Sequence, residues 1–127
     1  MNIKVEYKKQ EEMRYNTLGD YFYEGDLLVF QIVEQKNPFF TRLILIHELI
    51  EFTLCEHKGV TIKEIEELDF KFENLANDEY VEEDEPGNMP SAPYHKEHVL
   101  SEIVERLMCN HVGVNFKEYN NAITRKN

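Results

Sequence analysis

The segment Asn37-Pro-Phe-Phe-Thr-Arg-Leu-Ile-Leu-Ile-His-Glu-Leu-Ile-Glu-Phe-Thr-Leu-Cys-Glu-His-Lys-Gly59 decides the fold of this chain. Asn37 can cap the N–H groups of a helix that starts at Pro38, and Gly59 suits the C-terminal cap of the same helix. We therefore predict a helix from Phe39 to about His57. Because this helix is apolar on nearly all sides, we expect a sheet to cover one side and other helices to cover the other.

The residues before this helix, 1–36, are typical of strands. Ile3, Val5 and Tyr7 alternate with polar residues. Glu24-Gly25-Asp26 separates two segments that are rich in aromatic and β-branched residues, which predicts a hairpin whose turn needs the positive φ of glycine. We expect three short strands in a small antiparallel sheet.

The residues after the helix favour three further helices. A capping box, Thr61-Ile-Lys-Glu, predicts the start of a second helix, and a third is expected from about Ala92 to His111. Asn115-Phe-Lys-Glu predicts a short fourth helix. The fold class is therefore α+β in a single domain, with a sheet region at 1–36, two helices at 37–76, an acidic, proline-rich loop at 77–93 and C-terminal helices at 94–124.

Charge and composition limit the partners. The chain has 127 residues, with 25 Asp and Glu against 14 Lys and Arg, and a formal net charge of −11. Proteins bind nucleic acids and anionic membranes through Lys and Arg, so the charge argues against both as partners. We expect a cytoplasmic protein, because residues 1–10 do not resemble a signal peptide, no segment is apolar over a membrane-spanning length, and the two cysteines are too few for a disulfide framework.

His47-Glu48-Leu49-Ile50-Glu51, in the middle of the apolar helix, is the best candidate site. His47 and Glu51 are four residues apart, so they lie one turn apart on one helix face and can bind one metal ion together. A buried carboxylate needs a proton, a hydrogen-bond partner or a cation, and zinc or another divalent ion would satisfy that need. A buried, hydrogen-bonded His–Glu pair without metal is the alternative interpretation.

This pattern resembles the zincin metallopeptidases, whose H-E-x-x-H helix supplies two zinc ligands and a general base. By that resemblance His47 and Glu51 are metal ligands, Glu48 is the catalytic residue that polarises a water molecule, and the substrate is a peptide or protein. The fifth position is Glu51 here and not histidine, and a carboxylate ligand weakens the activation of water.

The third ligand must come from another part of the chain, and His98 in Tyr94-His-Lys-Glu-His is the best candidate. On a helical projection His98 and Glu102 lie opposite an apolar stripe, which favours solvent for both. A helix lying across a cleft can still turn His98 toward a metal ion, in which case His95 supports the site or has no role in it. Three acids stay open as alternative ligands: Glu102, Asp69 and Glu73.

Five segments together resemble a family of small uncharacterised bacterial and phage proteins. They are H-E-L-I-E (47–51), L-D-F-K-F-E (68–73), D-E-P-G (84–87), A-P-Y-H-K-E-H (92–98) and E-R-L (105–107). The resemblance implies that His98 belongs to the same unit as the His47 helix, in a broadly zincin-like arrangement, and it implies no particular reaction.

Two functional hypotheses follow. The first is a zinc-dependent hydrolase, for example a minimal peptidase, with His47, Glu51 and His98 as ligands and Glu48 as base. The second is a non-enzymatic phage or mobile-element accessory protein, in which the His–Glu cluster is structural and the acidic loop binds a basic protein partner. An open cleft at His47 is required only by the first. The sequence leaves the substrate and the oligomeric state open.

Overall fold

Three strands come before four helices in the computed structural model, which describes residues 1–76 and 92–124. The predicted α+β class is confirmed. Residues 77–91 of the predicted acidic loop lie outside the described residues. The elements are β1 (Asn2–Lys8), β2 (Gly19–Glu24), β3 (Leu27–Val33), α1 (Pro38–Lys58), α2 (Ile62–Ala76), α3 (His95–Val112) and α4 (Phe116–Thr124), with a short 3-10 turn at Gln10–Glu12.

The sheet has the strand order β1-β3-β2. β2 and β3 form the predicted antiparallel hairpin, with Gly25 at φ 60° in its turn. β1 runs parallel to β3, so the prediction of an antiparallel sheet is wrong and the sheet is mixed. β3 takes the centre because its apolar residues do not alternate: Leu28, Val29 and Phe30 are all fully buried and need cover on both faces.

The helix boundaries follow the predicted caps. The Asn37 side chain accepts a hydrogen bond from the backbone N–H of Phe39 at 2.9 Å, and Gly59 ends α1 at φ 88°. Thr61 and Glu64 form the capping box of α2, with N–H···O distances of 3.2 and 3.3 Å. α3 begins three residues later than expected, at His95, and ends before a second left-handed glycine.

α1 is the central element of the packing. One apolar cluster joins α1 to the sheet, α2 and the segment before α3, and it contains Tyr21, Leu28, Phe30, Phe52, Cys55, Ile65, Ala92 and Tyr94. A second cluster joins α1 to α3 and α4 through Leu43, Cys109 and Tyr119. Burying a large apolar side chain contributes about 1.5–3 kcal/mol, so these clusters fix α1 between the sheet and α3.

α3 packs with its polar side inward. An inner polar stripe of His98, Ser101 and Glu105 is buried against α1, with exposed fractions of 5%, 0% and 5%. An outer apolar stripe of Val99, Leu100, Ile103 and Leu107 is 38–63% exposed. The expectation that His98 faces solvent is therefore wrong, because α1 presents a polar surface of its own to this side of α3.

None of the helices in residues 1–76 and 92–124 combines the length and the apolar character that crossing a membrane requires.

Candidate metal centre

Three side chains from two helices converge between α1 and α3. His47 Nε2 lies 3.2 Å from His98 Nδ1 and 3.4 Å from Glu51 Oε2, and His98 Nδ1 lies 3.2 Å from the same Glu51 oxygen. The pair from α1 is one turn apart, as the spacing predicted, and α3 contributes the third side chain. These residues form a group in the described part of the chain that could hold a metal ion.

The three donor atoms are close enough together to bind one metal ion. Their separations are 3.2, 3.2 and 3.4 Å. Zinc binds imidazole nitrogen and carboxylate oxygen at about 2.0–2.2 Å, so the ligands of one tetrahedral zinc ion lie roughly 3.3–3.6 Å apart, which is close to the measured separations.

A second carboxylate orients His47 from α3. Nδ1 of His47 donates a hydrogen bond to Glu105 Oε1, and the hydroxyl of Tyr119 on α4 donates to the other oxygen of Glu105. Because a carboxylate only accepts, this contact assigns the Nδ1 proton and directs Nε2 toward Glu51 and His98. Carboxylate–histidine pairs of this kind hold the ligand imidazoles of many metal sites.

The cluster also has internal charge compensation. Tyr21 on β2 donates a hydrogen bond to Glu51 Oε1 at 3.1 Å, which leaves Oε2 for the two imidazoles. Burial opposes ionisation of Glu51, but hydrogen bonds from His47 and His98 lower its pKa to about 2. Burial alone would lower the pKa of His47. Hydrogen bonds to Glu105 and Glu51 outweigh the effect of burial, and the pKa of His47 is raised well above its usual value. Without metal, a protonated His47 balances the carboxylates; a bound cation would replace the Nε2 proton.

Glu48 lies beside the cluster, against the first residue of β2. A Cβ atom placed on Gly19 would be only 2.4 Å from Oε1 of Glu48, so this position accommodates the carboxyl group only because it is glycine. Burial, followed by the charge of Glu51, raises the pKa of Glu48 well above its usual value.

Two of the three alternative ligands predicted from sequence, Glu102 and Asp69, do not join the cluster. Glu102 pairs with Arg106 at 3.1 Å on the outside of α3. Asp69 accepts hydrogen bonds from Tyr15 at 2.8 Å and Tyr94 at 2.5 Å, and burial raises its pKa to about 6. His95, at the start of α3, is not part of the group. The side chain of Glu73 lies outside the described residues.

Sequence reasoning missed three supporting residues: Glu105, Tyr119 and Tyr21. Glu105 follows His98 by seven residues, which is two helical turns on the same face, and this spacing was a usable indication. This indication was overlooked because a helix face with polar residues is normally exposed to solvent. Tyr21 and Tyr119 carry no local pattern, since their partners are distant in sequence.

Solvent reaches the cluster mainly at His47, whose side chain is 13% exposed, against 7% for Glu51 and 6% for His98. Two cavities on the described surface, of about 470 and 370 Å3, lie elsewhere: one at the ends of β1 and β2, the other at the C-terminal end of α1. Neither is lined by a residue of the cluster.

Comparison with known proteins gives no relative. No protein-family model, no curated protein and no solved structure matches this chain. The resemblance to zincins and to the small bacterial and phage family therefore stays a prediction that rests on sequence motifs, and any function must be argued from the cluster itself.

Proposed function

We propose that this protein binds one zinc ion through His47, Glu51 and His98 and uses it to hydrolyse a peptide or related carbonyl substrate. The observation that carries the proposal is the triangle of donor atoms, with sides of 3.2, 3.2 and 3.4 Å. Two imidazoles and one carboxylate are a donor set that zinc accepts readily.

The choice of zinc rests on the chemistry of the donor set and not on the size of the triangle. Three ligands on one face of an octahedron, with bonds of about 2.1–2.2 Å, lie roughly 3.0–3.1 Å apart, as in iron sites with two histidines and a carboxylate. A tetrahedral zinc site requires roughly 3.3–3.6 Å. Two of the measured separations, at 3.2 Å, fall between these two ranges, and the third is 3.4 Å.

The number of ligands in the described part of the chain supports catalysis over a structural role for the ion. Structural zinc sites use four protein ligands, whereas catalytic sites use three and leave one position open, and residues 1–76 and 92–124 supply three. Bound zinc would supply Lewis acidity toward a carbonyl group and a water molecule. Glu48 follows His47 directly and is half-buried near Glu51, and we assign it the role of accepting a proton from that water.

Zinc binding is tested by titrating metal-stripped protein. We expect one zinc ion per chain and, at a free zinc concentration of 100 Kd, a gain of about 2.7 kcal/mol in the free energy of unfolding, or roughly 10 °C in Tm. His47→Ala and His98→Ala should abolish stoichiometric binding. His57→Ala and His111→Ala replace exposed histidines in the same helices and serve as controls. Full binding by His47→Ala and His98→Ala would refute the site.

Hydrolysis is tested separately with zinc-loaded protein and a mixed library of fluorogenic peptides. Glu48→Gln should keep the zinc and lose at least a hundredfold in kcat/KM, because it removes the base without removing a ligand. Glu56→Gln, on the exposed side of the same helix, should leave the rate unchanged. Cleavage that persists in Glu48→Gln would exclude the role of Glu48.

A second candidate function is supported by burial. Glu51, His98 and Glu105 are each only 5% exposed. A sealed cluster suits a non-enzymatic module of the phage or mobile-element accessory type, in which the ion or the His47 proton only holds α3 against α1. This alternative predicts that zinc binding is retained, that no peptide in the library is cleaved, and that a basic protein partner can be captured.

A further inference from the structure

The outer edge of β1 presents an apolar strip that nothing in the described part of the chain covers. β1 is an edge strand, and Ile3, Val5 and Tyr7 are 53%, 44% and 46% exposed. Their register partners on β3 are Leu28, Phe30 and Ile32, which are fully buried, and Leu28 and Phe30 pack in the same cluster as residues of α1. Paired residues share a sheet face, so the strip continues the core surface of the sheet beyond the cover that α1 provides.

The backbone of the same three residues faces away from the sheet. The carbonyl of Lys8 accepts a hydrogen bond from the backbone N–H of Glu34 at 2.9 Å, so Lys8 faces the β3 side of the strand. Backbone direction alternates along a strand, and the N–H and C=O groups of Ile3, Val5 and Tyr7 therefore point outward. An added strand would find six hydrogen-bonding groups on the residues that carry the apolar strip.

The sequence of β1 is complementary to itself in the antiparallel direction. It reads Asn-Ile-Lys-Val-Glu-Tyr-Lys from residue 2 to residue 8. When two copies pair about Val5, each Lys4 faces Glu6 of the other copy, and each Ile3 faces Tyr7. Opposite charges and aromatic–β-branched pairs both stabilise cross-strand contacts.

We propose that β1 pairs with β1 of a second copy of this chain, in antiparallel register centred on Val5, to form a two-fold dimer with a continuous six-stranded sheet. A two-fold contact must be complementary to itself, and the order Lys4-Val5-Glu6 meets that condition. The apolar strips of the two copies then form one surface between the two α1 helices, which lie on the same face of the sheet.

The charges of Lys4 and Glu6 are not arranged in the way that prevents an edge strand from pairing. Edge strands are commonly blunted with lysine, which repels a second copy of itself. Here Lys4 and Glu6 have opposite signs and stand at equal distances from Val5, so pairing brings opposite charges together. The backbone groups of Lys4 and Glu6 point toward β3, so these two residues form a non-hydrogen-bonded pair across the new contact. In such pairs the Cα atoms, and therefore the side chains, lie closer together than in hydrogen-bonded pairs.

Charge reversal tests the register. Sedimentation equilibrium of the full chain should give a reversible dimer, and Lys4→Glu or Glu6→Lys alone should raise the dimer Kd at least tenfold, because each places like charges opposite one another. The double variant Lys4→Glu/Glu6→Lys should recover the original Kd within about threefold. An equimolar mixture of the two single variants should form a heterodimer, since the pairs are then opposite in sign. Lys117→Glu, on exposed α4, is the control.

The mixture also guards against misfolding, because two unfolded variants could not associate through this edge. A wild type that stays monomeric at millimolar concentration would overturn the proposal. So would a dimer that the single reversals leave intact, or single variants that weaken it while the double variant and the mixture fail to restore it. In those cases the contact lies elsewhere, for example on the outer apolar stripe of α3.

Discussion

Replacing Glu105 by glutamine tests whether this carboxylate orients His47 for metal binding. The change keeps the size of the side chain but converts a charge-assisted hydrogen bond from His47 Nδ1 into a neutral one. Hydrogen bonds to charged groups contribute about 1.5–3 kcal/mol and neutral ones about 0.5–1.5 kcal/mol, so the expected loss is about 1–2 kcal/mol. That corresponds to a zinc Kd roughly 5- to 30-fold higher, which overlaps the range of about 10- to 100-fold that such outer carboxylates contribute elsewhere.

The assay is competition for zinc between the protein and a chromophoric chelator. Tyr119→Phe, which removes only the hydroxyl that donates to Glu105, should have a smaller effect in the same direction. Glu102→Gln is the matched control, because Glu102 lies on the same helix and pairs with Arg106 outside the cluster. If Glu105→Gln binds zinc as tightly as the wild type, or if Glu102→Gln weakens binding equally, the assignment of Glu105 is refuted.

Three further predictions concern stability. Burial raises the pKa of Asp69 to about 6 from an ordinary value of 3.8, so the folded state holds this proton more tightly than the unfolded state. The free energy of unfolding should therefore decrease by up to about 3 kcal/mol as the pH rises from about 4 to about 6. Asp69→Asn should flatten that decline in urea unfolding, and an unchanged slope would contradict it. Gly19→Ala should lower the free energy of unfolding by about 1–3 kcal/mol, because the added Cβ atom would crowd Glu48. The decrease should be much smaller in a Glu48→Ala background, and equal decreases in a double-mutant cycle would exclude the contact. Leu107→Gln should change stability by about 0.5 kcal/mol or less, whereas Ser101→Leu should cost about 1–3 kcal/mol; the opposite order in denaturant titrations would show that α3 faces the other way.

Helix boundaries were the most predictable part of the fold, because their causes are local. Asn37, Gly59 and the Thr61 capping box act within one turn of their own positions. Strand direction was not predictable in this way. The alternation at Ile3, Val5 and Tyr7 indicates a strand but contains no information on its partner, and β1 pairs with β3 in parallel after the chain has passed through β2.

In the candidate site, too, the residues set by local geometry were predictable and those set by distant contacts were not. His47 and Glu51 were found because helical geometry alone places them together. His98 was the best candidate for the third ligand in the sequence, and a family resemblance supported this choice against the helical projection. The projection failed because it assumes that a helix buries its apolar side, whereas α3 contacts a surface of α1 that already carries His47 and Glu51. Which face of α3 is buried depends on the side chains of α1, and this information is absent from the sequence of α3 itself.

The reversed packing of α3 has a consequence for the lifetime of the protein in a cell. Much of what holds His98 and Glu105 against α1 is compensation of charge, which a protonated His47 supplies without metal and a bound cation would supply in its place. Under the zinc binding proposed above, the folded protein loses the stabilisation by the bound ion when divalent metal is scarce, so α3 should undock more often and proteases that act on opened chains would remove the protein. We therefore expect its abundance to follow the metal supply even where its transcription does not change.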